Sequence, residues 1–386
     1  MVLTFVDLMK IEPVEFIELP CDNGRKIGIA CLNVESRLNA LSLDLIRKLN
    51  ARLRVWARDD EIVCVLIRGS GERAFCAGGD VRDVRAAIVA SPELPVNPTA
   101  LAFFCEEYSL DFLVHRFPKP ILVWGTGIVF GGGLGLFEGA SHRVVTEASQ
   151  LAMPELAIGF FPDVGANWFL RRMPLGLGLF FSLTGLSLNA HDALRTGLAE
   201  YFVLSSHWDR FTAYLKNVRW SSDPQQDREA LSERLILFNN EARYLLPPSN
   251  IAGLEEKIND LVTGCDLNEI VAKILAEARF PLMERAGKMI QRGSPTSVAL
   301  SWELWKRTRS FTLADVLRLD LTVAMQCCRR HDFLEGVRAT LIDKDRKPVW
   351  RPESFDALPP EWIEGHFTSL WSDSEHPLRD LETVWA

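Results

Sequence analysis

Apolar residues come in short blocks through the first half of the chain and recur at helical spacing through the second. "VEFIEL" and "KIGIACL" flank "CDNGR", whose Asn-Gly pair signals a tight turn, so a hairpin of two strands is predicted. In "LSLDLIRKLNARLRVWARDD" the residues Leu45, Ile46, Leu49, Leu53 and Trp56 share one helical face, with Ser42 placed as N-cap and Asp44 in the first turn. The block "IVCVLIRG" reads as a buried strand, and "SGERAFCAGGD" as a glycine-bearing loop opening into the helix start "VRDVRAA". Residues 89–100, "VASPELPVNPTA", are a Pro-punctuated loop. Beyond them "LAFFCEEYSLDFLVHRF" sets Phe103, Phe104, Tyr108, Phe112 and Leu113 roughly on one side of a helix that also carries Glu106 and Glu107. "ILVWGTGIV" reads as one strand running into a Gly-rich turn and a helix, and "HRVVTEA" as the next strand. This repeated strand, helix, strand order predicts an α/β first half.

Past residue 205 the texture changes. "RWSSDPQQDREA" and "LLPPSN" are polar or Pro-rich breaks, and five helices are predicted from Ile251 onward: "IAGLEEKINDLV", "LNEIVAKILAEA", "FPLMERAGKMIQRG", "SPTSVALSWELWKRT" and "LADVLRLDLTVAMQCCRR". The expected organisation is an α/β core over 1–205, a variable connecting segment over 206–250 and a mainly helical region over 251–386.

Composition fits a folded globular chain: 386 residues, 48% hydrophobic and 24% charged. A net charge of −8 without a Lys/Arg cluster argues against nucleic acid as partner. The eight cysteines show neither a CxxC pair nor a zinc-ligand spacing, and read as reduced residues of a cytosolic protein. "MVLTFVDLMKIEPVEF" carries Asp7 within its apolar part and lacks a basic leader, so no signal segment is expected and a bacterial cytoplasm is the expected compartment.

Gly125 to Gly139, "GTGIVFGGGLGLFEG", invites three readings. Glycines at 127, 131, 135 and 139 form overlapping GxxxG patterns, but the apolar run barely reaches the roughly 17 residues of a membrane span, and each interior glycine costs a helix about 1 kcal/mol. A dinucleotide loop would need glycine where Phe130 stands, and a Walker loop would need lysine where Gly133 stands. What survives is a strand, a turn and a helix. Both Gly-rich loops follow an apolar strand and open a helix, which aims backbone N–H groups into one space and favours negative charge there. Close packing of helix on strand would account for the same glycines.

"QLAMPELAIGFFPDVGANW" adds two carboxylates in apolar surroundings, Glu155 and Asp163. Such groups are costly unless paired, or have raised pKa values suited to acid/base work. Read alone, Glu155 opens a helix and Asp163 caps a turn.

Together, "RLNALSLDLIRKL", "RAFCAGGDVRDV", "GGGLGL" and "AMPELAIGFFPDVG" resemble, in order and spacing, the crotonase (enoyl-CoA hydratase/isomerase) superfamily. "FFCEEYSLDFLVHRFPKPILVWGTGIVFGGGLGL" and "HDFLEGVRATLIDKDRKPVWRP" resemble its 3-hydroxyisobutyryl-CoA hydrolase branch. The resemblance implies a crotonase-type spiral of ββα turns followed by a helical region. It implies hydrolysis of a short, branched 3-hydroxyacyl-CoA, as in valine breakdown, with no cofactor beyond the CoA of the substrate. An enoyl-CoA hydratase or isomerase on the same scaffold, and a non-catalytic acyl-CoA-binding protein, are the alternatives. Small-molecule acyl-CoA is the implied partner, with no membrane, and a homo-oligomer is allowed.

Residue by residue, the resemblance places the two thioester-binding amides at Gly79 and Gly132. Glu155 matches the catalytic glutamate as base or nucleophile, Asp163 its partner acid, and Glu107 a substrate-contacting residue. Asn39, Ala40 and Asp80 fall in stretches that line the CoA site of relatives, with Arg37, Arg73 and Arg82 near enough in sequence to meet CoA phosphates. His142, His191 and Cys76 are expected to be structural. Two departures stand out: hydratases carry a second glutamate where this chain has Gly135, with Glu138 as a displaced candidate, and "DVGGG" of the branch is "DVGAN" here, so that Ala166 and Asn167 are expected to reshape the acyl pocket. Hydrolysis needs only one carboxylate and an oxyanion site, whereas adding water across a double bond needs a paired acid and base.

Overall fold

The computed structural model describes residues 12–221, 223–264 and 266–385. The N-terminal stretch up to residue 11 and Cys265, both read above, lie outside the described residues. The predicted hairpin forms from β1 (Val14–Pro20) and β2 (Lys26–Leu32), antiparallel. Helix α1 (Leu43–Arg58) follows, capped by Ser42, and all five predicted face residues are buried. At ~1.5–3 kcal/mol per buried large side chain, this face contributes on the order of 10 kcal/mol.

From here the chain advances in turns that each give one strand to a large sheet and one to a small sheet. β3 (Ile62–Gly69) is followed by β4 (Ala74–Cys76), then helices α2 (Val81–Ala90) and α3 (Pro98–His115). β5 (Ile121–Gly125) is followed by β6 (Ile128–Phe130) and α4 (Gly132–Gly139). β7 (His142–Val145) is followed by β8 (Gln150–Ala152). β9 (Leu188–Asn189) and β10 (Tyr201–Phe202) complete a six-stranded sheet, β1-β2-β3-β5-β7-β10, and a four-stranded one, β4-β6-β8-β9. The expected α/β spiral is therefore present, with one correction: "ILVWGTGIV" is two strands in different sheets. The break falls at Gly127, whose φ of +66° and whose closeness to the Arg73 carbonyl leave no place for a side chain.

Segment 206–250 contains helices Trp208–Leu215 and Pro224–Ala242. Their Phe211, Leu215, Leu231, Leu235 and Phe238 pack with Cys64, Leu66, Leu122, Trp124 and Val144 of the large sheet. That sheet is thus covered on both faces, which is why "IVCVLIRG" is a continuous apolar block. The C-terminal helices form as predicted, except that the first begins at Glu255, after a turn at Gly253. Helix Leu313–Cys328 packs along α3, and helix His331–Val337 packs on the turn Glu155–Ile158. The helical region thereby closes over the ends of the small-sheet strands. Among the described residues no helix is long and apolar enough to cross a membrane.

Candidate active site

β4, β6 and β8 are parallel neighbours in the small sheet, so their C-terminal ends lie side by side. The residues that follow them are Ala77-Gly78-Gly79, Gly131-Gly132 and Met153-Pro154-Glu155. Three segments distant in sequence thus deliver two glycine amides and a carboxylate to one place. The two glycine loops touch: a Cβ built on Gly78 would lie 3.7 Å from Gly132 N. Neither the Gly79 nor the Gly132 N–H donates to another backbone carbonyl of the described residues, and both glycines line the same cavity. Two amides free of backbone acceptors at one cavity are the donors that an oxyanion-type site requires.

The cavity holds about 220 Å³ and is lined by Gly79, Gly132, Glu107, Glu155 and Asp163. Phe104 and Phe160, stacked at 5.4 Å, form an apolar wall, and Thr340 and Leu341 from the C-terminal region close another side. Glu155 opens the turn Glu155–Ile158, and a Cβ on Gly131 would approach its Oε1 to 2.6 Å. Glu107 comes from α3 and fills the space a side chain at Gly132 would need. Asp163 is fixed by Tyr108, whose hydroxyl donates to Oδ2 at 2.7 Å. The turn after it is strained, with Val164 left-handed at φ 51°, and is pinned where Gly165 N–H donates to Asp320 Oδ2 at 2.9 Å.

These carboxyl groups are buried together and no cation faces them in any ion pair of the described residues. Burial pushes Asp163 up to about 7 against the lowering pull of the Tyr108 hydrogen bond. Burial, and then the charge of Asp163, push Glu155 well above the carboxylate range. Glu107 is raised by burial first and next by Asp163, Asp111 and Glu155. Such a cluster holds protons at neutral pH and can release or accept one as charge develops nearby.

The remaining expected residues lie outside the cavity lining. Asn39 is buried and latches the chain, its amide donating to the Ser70 and Ala74 carbonyls and its oxygen accepting from Val34 N–H. Ala40 precedes Leu41, which bridges to the Gly78-Gly79 loop through Leu41 N–H to Gly78 O. Asp80 binds Arg37 and Arg82; burial alone would raise its pKa, but the two guanidinium groups hold it below the usual value. Arg73 donates to the Glu35 carbonyl. His142 bonds Ser141 and Ser232, His191 bonds the Pro247 carbonyl, and burial lifts the Cys76 thiol to about 12.

Two expectations are corrected. Glu138 does not replace the glutamate absent at Gly135: it pairs with Arg143 and lines a separate cleft. Nor do Ala166 and Asn167 reach the acyl cavity; both are buried beside it. At Gly135 a Cβ would meet Val164 at 2.8 Å and Asp111 Oδ1 at 3.0 Å, so a glutamate has no room. Sequence reading missed Tyr108 as a hydrogen-bond donor, and Asp111, Asp320, Thr340 and Leu341 altogether. One signal was available: Glu107, Asp111 and His115 recur at i, i+4 and i+8 on a largely apolar helix.

Residues 27–367 match the enoyl-CoA hydratase/isomerase family. "3-hydroxyisobutyryl-CoA hydrolase, mitochondrial" of Xenopus laevis is 36% identical over 346 residues, 89% of this chain and 87% of that protein. The human protein of the same name is 36% identical over 348 residues with the same coverage. Among solved structures, an enoyl-CoA hydratase from Rhodobacter sphaeroides superposes with a TM-score of 0.79 at 33% identity, covering 92% of this chain and 97% of that one. A carnitinyl-CoA dehydratase from Mycobacterium thermoresistibile gives 0.79 at 30% identity, covering 92% and 96%. With the two converging glycine amides, the ββα turns and a match spanning most of its length, the chain belongs to the enoyl-CoA hydratase/isomerase family.

Proposed function

We propose that the protein hydrolyses a short, branched 3-hydroxyacyl-CoA thioester, 3-hydroxyisobutyryl-CoA being the first substrate to test, to the free acid and CoA. The observation that carries this reading is the pairing of two undonated glycine amides with Glu155 and Asp163, while the hydratase position, Gly135, has no room for a second glutamate. The Gly79 and Gly132 amides hold the thioester oxygen and stabilise its negative charge as the tetrahedral adduct forms, each worth about 2.7–4 kcal/mol in acyl chemistry. Glu155 activates water or attacks the carbonyl itself, and Asp163, held by Tyr108, exchanges the proton and meets the substrate hydroxyl. Glu107 contacts the substrate beside the amides. Asn39, Ala40 and Asp80 shape the loop that borders the CoA.

The apolar wall and the volume of about 220 Å³ suit a small branched acyl group. The reaction draws on no cofactor, and the reading includes a role in valine breakdown. A cytoplasmic location remains part of the proposal, although the vertebrate relatives are named mitochondrial. The test is thiol release over hydroxylated, branched and enoyl CoA esters, with enoyl absorbance followed in parallel. Free CoA from the hydroxylated branched ester, lost in Glu155→Gln and Asp163→Asn, is the expected result. Loss of enoyl absorbance without thiol release would make the protein a hydratase, and tight ester binding without turnover would make it a binder.

A further inference from the structure

Helix α3 carries Glu107, Asp111 and His115 at successive turns, and α4 opposes this stripe with Gly132, Gly135 and Gly139. The match is close: a Cβ at Gly132 would collide with Glu107 Oε1, one at Gly135 would lie 3.0 Å from Asp111 Oδ1, and one at Gly139 would lie 3.2 Å from His115 N. Gly132 and Gly135 thus leave room for the Glu107 and Asp111 side chains, while Gly139 lets the backbone of α3 approach. Eight residues of helix span about 12 Å, so the stripe runs from the acyl cavity to the other end of the α3–α4 seam.

Asp111 is buried, and neither of its oxygens has a hydrogen-bond partner; the same holds for Oε1 of Glu138. Both line a second, very small cavity of about 10 Å³, together with apolar groups such as Val164, Trp168 and Leu313 and with His115, whose imidazole is held down to about 4 by burial and then by Arg172 and Arg116 and so stays neutral. That is about the space of one water, and orphaned oxygens on two carboxyl groups are what such a water would bind. Glu138 also lines the next space outward, a polar cleft of about 300 Å³ that it shares with Arg143, Arg172 and Glu200, the last two exposed. Inward, Asp111 lies one helical turn from Glu107, with Cβ atoms about 6 Å apart at this spacing.

Hydrolysis needs such an exit. Water oxygen bonds to the thioester carbon, the C–S bond breaks, and one water proton ends on the CoA sulfur. The other passes to a site carboxylate and must leave, because the product acid is ionised at neutral pH: one net proton per turnover. A bound acyl-CoA would itself occupy the acyl cavity during this step. Resting on the thioesterase reading above, we propose that Glu107, Asp111 and Glu138, with a water between the last two, carry this proton along the α3–α4 seam to the polar cleft. Burial, opposed by Arg143, brings Glu138 to about 8, so its proton is exchangeable near neutral pH. Asp111 and Glu138 are relay groups and do not touch the substrate.

The test uses the full-length protein and the ester that the wild type turns over best, at low buffer and then with rising imidazole at fixed pH and ionic strength. Asp111→Asn keeps the shape and removes the exchangeable proton. Its kcat should fall at least about 10-fold, with KM within about twofold, and imidazole should restore much of the loss by replacing the blocked transfer. Glu138→Gln should show the same buffer-dependent loss, smaller, and it decides alone if Asp111→Asn does not fold. Unchanged kcat, or a loss that imidazole does not touch, overturns the relay. Should the wild type release no thiol from any ester, the hydrolase reading falls and takes the relay with it; wild-type turnover with unaffected variants sinks the relay alone.

Discussion

Two buried carboxylates in this molecule are treated in opposite ways. Asp192, fully buried on helix Ala190–Thr196, accepts from Asn189 N–H, Ser249 Oγ, Asn250 N–H and the Asn250 side-chain amide, all at 2.7–3.2 Å. It ties the helix start to the loop at 249–251. Asp163 is also buried but receives one side-chain donor, Tyr108, and its neighbours Glu107 and Glu155 each keep a buried oxygen without a partner. Buried polar groups are satisfied where they only hold structure, because an orphan costs about 1–3 kcal/mol. Where they are left short of donors the burial energy is stored as a raised proton affinity, which is what acid/base chemistry draws on.

The contrast is tested most sharply by removing one carboxylate from each region. Glu155→Gln should lower kcat for thiol release by roughly 10³-fold while leaving thermal unfolding unchanged or slightly later. Comparable turnover would place Glu155 with the structural acids. Gly132→Ala should lower kcat by about 100-fold, since the new methyl displaces Glu107 and shifts the amide from the thioester oxygen. A rise in KM alone would show that the amide binds ground state and transition state equally. Asp192→Ala should do the reverse: about 3 kcal/mol less stability in urea unfolding, with kcat of the folded fraction retained.

The smallest effect concerns pH. With Asp163 raised to about 7 in the fold, the native state keeps a proton that the unfolded chain releases above its ordinary value of about 3.9. The contribution of this group is therefore fully present below about pH 4 and declines as pH rises to about 7. Asp163→Asn should remove that decline, so its stability relative to wild type should be higher by roughly 1 kcal/mol or more at pH 8 than at pH 4. Denaturant unfolding at both pH values measures the difference, and parallel curves would contradict the raised pKa.

Much of the fold was legible because it rests on local pattern. The α1 face, the Asn-Gly hairpin and the C-terminal helices are each written in spacing, caps and turn residues. "ILVWGTGIV" was misread because apolar content says that a strand is buried and not which sheet it joins; only the backbone demanded at Gly127 splits it. In the site, Gly79, Gly132, Glu107, Glu155 and Asp163 were reached through family resemblance, and the structure brings all five to one cavity. Tyr108, Asp111 and Asp320 were not, since a tyrosine or aspartate in a helix reads as packing or surface until its neighbours are known.

By itself, then, the sequence determined most elements of the first half and of the C-terminal region, their order and the chemical types available, since each depends on residues within a few positions of one another. Tertiary structure alone decided that the ends of β4, β6 and β8 meet, that α3 lays its acidic stripe into the glycine groove of α4, and that Glu138 faces away from the acyl cavity. The physical reason is that proton affinity follows desolvation and neighbouring charge. Both are set by groups far apart in the chain and close in space.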